Sequence, residues 1–186
     1  MLHKAVLRST FLILLACLIL HGCSTGQSRV WVEEKTSFND YTVFEVRPVF
    51  NATGEGLKEG ISTTLTTLLE AEFEDKDFLV VEPSQTNTGV LIVESSIVIY
   101  RGCQLNKGTP TTGLGTPGPV SKSTPMGKSM CSVQVQLIDK ATGQIVAKIF
   151  TTKVVGSCFT DQHKDQWLLT VLAEDIAKKV AKIMKT

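Results

Sequence analysis

Within Ser129–Asp139, SMCSVQVQLID, apolar and polar residues alternate from Cys131 to Leu137. Cys131, Val133, Val135 and Leu137 fall on one side of an extended chain, and Ser132, Gln134 and Gln136 on the other. Side chains point to opposite faces along a strand, so the pattern fits a strand with one buried face and resists a helix. KATG follows as a turn, with Gly143 free to take a left-handed backbone and Asp139 able to bond nearby amides. QIVAKIFTTKVV then returns as the hairpin partner. Such a one-sided hairpin needs a second layer to cover its apolar face.

Two segments have the period to supply that layer. Leu57, Ile61, Leu65, Leu68 and Leu69 recur at helical spacing with Phe73 close by, and Glu55 and Glu59 are placed in the first turns. Near the C-terminus Leu168, Val171, Leu172, Ile176, Val180 and Ile183 form a stripe, with Trp167 alongside. Thr160 or Asp161 can cap this helix, Asp165 sits near its start, and Lys178, Lys179, Lys182 and Lys185 match the dipole at its end. The remaining strands are YTVFEVRPVF (Tyr41–Phe50), FLVVE (Phe78–Glu82) and GVLIVESSIVIYRG (Gly89–Gly102). Pro48 cannot donate to a ladder and marks an edge or bulge. The third is apolar on both faces at first, hence central. The expected fold is α+β, a two-layer sandwich of order β-α-β-β-β-β-α: a mixed, mostly antiparallel sheet with both helices on one face.

The N-terminus reads as a signal peptide. Lys4 and Arg8 precede an apolar run from Phe11 to Leu20, too short for a bilayer, which needs ~20 residues. The run ends at Leu20-His21-Gly22-Cys23, which resembles the lipobox of bacterial lipoproteins, although His21 stands where a small residue is usual. The resemblance implies cleavage after Gly22 and a lipid on Cys23. Ser24 follows, without the Asp associated with inner-membrane retention, so the address implied is the outer membrane, with the domain facing the periplasm. The expected divisions are residues 1–22 as leader, 23–40 as lipidated N-terminus and tether, and 41–186 as one domain with an insertion at 104–128. Loss of the leader leaves 164 residues in which 17 basic face 18 acidic ones. A net charge of −1 offers no electrostatic reason to bind nucleic acid.

The chain also resembles the bacterial lipoproteins of domain-of-unknown-function family 4410. The resemblance rests on the lipobox, YTVFEVRPVF before an amphipathic helix, GVLIVESSIVIYRG, and GKSMCSVQVQLIDKATGQIVAKIFTTKVVG before a closing helix. It covers most of residues 41–184. The layout is similar to the periplasmic α/β domain of curli-secretion and penicillin-binding-protein-activator lipoproteins. These relatives imply envelope assembly or regulation through protein contact, and supply no catalytic residues.

The insertion contains Gly113-x-Gly115-x-x-Gly118 and ends in Gly127-Lys128-Ser129, fragments of two nucleotide-binding loops. Both fail on context. A dinucleotide loop must open a helix, whereas a strand follows Ser129. A Walker loop needs glycine where Lys122 stands. The stretch reads as a solvated connection or a contact loop.

Cys23 is expected to carry lipid, which leaves Cys103, Cys131 and Cys158. The topology places all three at one end of the sheet. In an oxidising compartment one disulfide is expected, either Cys103–Cys131 across the base of the insertion or Cys103–Cys158, with one thiol over. His163 with these cysteines lacks the close ligand pairs of a strong zinc motif, and no metal or other cofactor is expected. A Cys158–His163 nucleophile lacks an orienting acid, so no catalytic residue is assigned and the chain reads as a non-enzyme. Two functions stay open: an outer-membrane lipoprotein working through contacts with envelope proteins, with homo-oligomers included, or a carrier of lipid or small molecules in a cavity between sheet and helices.

Overall fold

The computed structural model describes residues 25–34, 36–83, 88–102, 128–156 and 161–185. Among the described residues seven strands form one mixed sheet: β1 (Thr25–Val32), β2 (Val43–Val46), β3 (Phe50–Asn51), β4 (Leu79–Val80), β5 (Val90–Arg101), β6 (Lys128–Asp139) and β7 (Ile145–Gly156). Helices α1 (Ile61–Glu74) and α2 (Asp161–Ile183) lie on one face. The strand order is β1-β7-β6-β5-β2-β4, with β3 beside β5. Pairing is antiparallel from β1 to β5 and parallel from β5 outward. This is the expected α+β architecture, with β5 central.

The hairpin forms as its alternation dictates. Cys131, Val133, Val135 and Leu137 are all fully buried on the helix-covered face. Asp139 closes the turn: its carboxylate accepts the Ala141 amide at 2.9 Å and the Thr142 hydroxyl at 2.9 Å. Gly143 follows at φ 71°, where a side chain would be strained. Burial alone would raise the Asp139 carboxyl, but these bonds and one from Tyr41 hold it below its ordinary value.

Both helices bury the faces that their spacing marks. α1 buries Ile61, Leu65, Leu69 and Phe73, one residue per turn. Phe73 meets Phe44 and Phe78 at ring distances of 5.3 and 5.7 Å. The helix starts later than its sequence period suggests. Gly60, at φ 85°, breaks the chain just before Ile61, so Glu55 and Glu59 precede the helix and Leu57 packs from outside it. Thr66 compensates for weak helix propensity: its hydroxyl donates to the Ser62 carbonyl and accepts the Val49 amide, both at 2.9 Å. In α2, Leu169, Ala173 and Ala177 join the buried stripe, while Val171 is half-buried and Trp167 points outward. Lys178 and Lys179 pair with Glu174 and Asp175 one turn back, beyond any general attraction to the dipole.

Two expectations are corrected. The segment 23–40, read as a tether, contains β1, which pairs along its whole length with the outer edge of β7. TGQSRVWV has little alternation of its own; an open neighbouring edge makes it a strand. Tyr41–Phe50 divides into β2 and β3, because Pro48 stands between them without an amide hydrogen to donate.

Candidate functional site

The sheet face away from the helices carries an ordered mixture of aromatic and polar groups. Residues paired across strands share a face, so the register reads off its rows directly. One row runs Arg29–Phe150–Gln134–Ser96–Phe50 across five strands. A second runs Trp31–Lys148–Gln136–Glu94, with Arg47 bonded to Glu94 at 2.6 Å. Phe50 is 67% exposed, Trp31 47%, Ile99 40% and Phe150 37%. The Lys148 ammonium lies 5.8 Å from the centre of the Trp31 ring, within cation–π range. Strand alternation shows that this face exists; it does not show that aromatic rings flank its polar centre.

Glu45 is the one charged side chain buried on this face among the described residues, at 3% exposure. Lys140 Nζ lies 2.7 Å from its Oε2, and Arg47 Nε 3.4 Å from its Oε1. Burial alone would raise the carboxyl; hydrogen bonds and charge from Lys140 and Arg47 outweigh it and hold Glu45 below its ordinary value. The cluster is thus an ion network beside Phe50. Ser132, expected to be exposed here, is 1% exposed. It is a short residue between Ile99 and Thr152 in the register, and its hydroxyl is bonded to that of Thr152 at 2.8 Å.

Of the candidate cysteines, Cys131 alone falls among the described residues. Cys131 carries a free, fully buried thiol on the helix-covered face. Burial pushes its pKa up to about 12, so it is neither a nucleophile nor a ready metal ligand. Cys23, Cys103 and Cys158 lie outside the described residues, as does the Gly-rich insertion. His163 occupies the first turn of α2. No three His, Cys, Asp or Glu side chains converge on a common point among the described residues. Near Cys131, Tyr100 and Asp165 face each other at the end of the sheet, with Lys58 3.7 Å from Asp165. Burial and the Asp165 carboxylate raise the Tyr100 phenol, which stays neutral.

The layer between sheet and helices, where a carrier would need room, is filled. Leu65, Leu69, Ile97, Leu137, Leu172 and Ile176 are each fully buried there. An open cleft of about 510 Å³ lies instead at the KATG end, lined in part by Phe38, Tyr41, Phe78 and Met184 with Asp75 and Lys185. Its mixed charge and open form mark no single ligand.

No family model matches the chain, and no curated protein matches it. Solved bacterial structures share its fold. A protein of family DUF330 from Xanthomonas campestris superposes with a TM-score of 0.53 at 12% identity, over 86% of this chain and 94% of its own. The PelC dodecamer from Paraburkholderia phytofirmans gives 0.50 at 13% identity, over 82% of this chain and 98% of that one. The lipoprotein GNA1162 from Neisseria meningitidis gives 0.44 at 11% identity, over 76% and 99%. At these identities the likeness to the first two is one of fold alone.

Proposed function

We propose that the chain is a lipid-anchored protein of the bacterial envelope, held in the outer membrane by Cys23, that acts without catalysis through protein contacts made by the helix-free face of its sheet. The observation that carries the reading is the pair of rows on that face. Aromatic and arginine side chains are the groups that dominate protein interfaces, and here Trp31, Phe150, Phe50 and Arg29 stand on a rigid sheet rather than a loop. The Glu45 network stiffens the same surface from below. The filled layer under the helices speaks against the carrier reading. Membership of family 4410, with its link to envelope assembly, fits the lipobox and the hairpin but rests on resemblance.

Two measurements test the reading. Mass spectrometry of the native protein should find a diacylglyceryl group on Cys23 and no residues 1–22, and Cys23→Ala should release a folded domain. Phe150→Ser and Phe50→Ser should leave stability within ~0.5 kcal/mol of wild type, as surface changes do, yet weaken partner binding ~10- to 100-fold if each ring contributes as interface anchors do. Normal envelope crosslinks in both variants would sink the contact surface.

A further inference from the structure

β1 forms one edge of the sheet, and its outer side has no partner strand among the described residues. Gly26 to Trp31 are all exposed, and so are Glu33 and Glu34. α2 packs over β6 and β7. Val30, on the helix side of β1, is still 46% exposed. The edge is also unguarded. Sheet edges are ordinarily blunted by proline, bulges or a run of charge. Thr25–Val32 has no proline and no bulge, and its one charge is Arg29.

The register shows which groups this edge offers. The Glu33 amide donates to the Val146 carbonyl at 2.9 Å. Hydrogen-bonded pairs alternate with non-bonded ones along an antiparallel ladder. Trp31 and Arg29 therefore turn their backbone groups toward β7, while Ser28, Val30 and Val32 turn theirs outward.

We infer that this edge pairs with the same edge of a second copy, antiparallel, about a twofold axis at Val30. Side-chain chemistry selects that axis. An axis at Arg29 sets two arginines directly opposite, which repels. An axis at Trp31 overlaps only Val30–Val32 of each strand. An axis at Ser28 sets Val30 against Gly26 and leaves both valines uncovered, and one nearer the N-terminus pairs neither Val30 nor Trp31 within the strand. An axis at Val30 overlaps Ser28–Val32 and closes about six backbone hydrogen bonds. It packs the two Val30 side chains together on the helix side. On the other side it sets Arg29 opposite Trp31 of the second copy, twice, as a guanidinium beside an indole. Gln27 meets Glu33 of the second copy.

Such an axis runs perpendicular to the sheet, so the two helix-free faces join into one. The row Phe50–Ser96–Gln134–Phe150–Arg29 of one copy runs on into Trp31–Lys148–Gln136–Glu94 of the other. The interface is the same patch on both copies, so it closes at two. The opposite edge of the sheet, β4, is two residues long. This inference goes beyond the contact surface proposed above and needs neither the lipid anchor nor an envelope partner.

A charge swap at the axis tests it. The full-length lipidated protein is sedimented in detergent, with micelles in excess, and its mass is read across micromolar concentrations. The wild type should have the mass of two chains. Val30→Lys and Val30→Glu should each have the mass of one, because the axis sets like charges directly opposite. Their circular-dichroism spectra should match the wild type, since Val30 lies outside the core. Mixed in equal amounts, the two variants should regain the dimer, Lys against Glu. A wild type with the mass of one chain would leave the edge to a segment of some other protein and overturn the inference. A dimer that survives Val30→Lys would place the interface elsewhere, and a mixture that stays monomeric would overturn the axis at Val30.

Discussion

Asp175→Ala should destabilise the domain by about 2–4 kcal/mol at neutral pH, and by progressively less in acid. Asp175 joins α2 to β7. Its Oδ2 accepts the Thr151 hydroxyl at 2.7 Å and pairs with Lys179, and its Oδ1 lies 3.1 Å from the Lys153 ammonium. Thr151 is fully buried. A hydrogen bond to a charged acceptor contributes ~1.5–3 kcal/mol, and the loss would strand the Thr151 hydroxyl. The two lysine pairs are partly screened and add up to ~1 kcal/mol each. For a domain of this size ~1 kcal/mol moves the Tm by roughly 2–4 °C, so the loss should be about 5–15 °C. Burial alone would raise the Asp175 carboxyl above its ordinary 3.8, but bonds from Lys179, Thr151 and Lys153 outweigh it and lower it. A depressed carboxyl contributes its full stability above the ordinary value, and that contribution is lost as pH falls through the folded value. The wild type and Asp175→Ala should therefore converge below pH 3.8 in urea titrations. Thr151→Val, which removes that hydrogen bond but leaves both lysines paired, should cost ~1.5–3 kcal/mol. A neutral-pH loss below ~0.5 kcal/mol for Asp175→Ala, or a loss that does not shrink in acid, would refute the latch, since a surface carboxylate behaves that way.

Three further outcomes follow from the fold. Cys131 should resist alkylation in the native protein at pH 8 and react once unfolded, as a buried thiol with a pKa of about 12 requires; fast native labelling would contradict its burial. Gly26→Ala should cost ~1–3 kcal/mol in urea melts, because the new Cβ meets backbone rather than a movable side chain; no change would mean that β1 is not seated on β7. Replacing Gln104–Gly127 with a tight turn should leave the circular-dichroism spectrum and Tm nearly unchanged, since Arg101 and Met130 are already paired; a collapse of the Tm would show the insertion to be part of the fold.

What the sequence makes legible is whatever a local period can encode. The β6–β7 hairpin and α2 are explicit in alternation and in 3.6-residue spacing, and both elements form where read, although Leu169, Ala173 and Ala177 join the buried stripe of α2 and Val171 is only half-buried. β1 is not, because Thr25–Val32 becomes a strand only against the edge of β7, more than a hundred residues away in the chain. Glu45 sits between Phe44 and Val46 as a buried charge, and its neutralising Lys140 arrives from the far hairpin turn. The same limit hides the contact face: Phe50 and Phe150 are as apolar as core residues, and only the register places them together outside. The start of α1 is misread for a different reason, since Glu55 and Glu59 look like first-turn acids until Gly60 breaks the chain after them.

The most direct test of the account is a photo-reactive amino acid placed at Phe150 in the full-length protein and activated in intact envelopes. A control carries it at Lys178, on the outer side of α2. The account predicts discrete adducts of defined mass from position 150, lost when Phe50→Ser is added, and none from position 178. Adducts from position 178 alone, or equal labelling from both positions, would contradict the claim that this protein works through the helix-free face of its sheet.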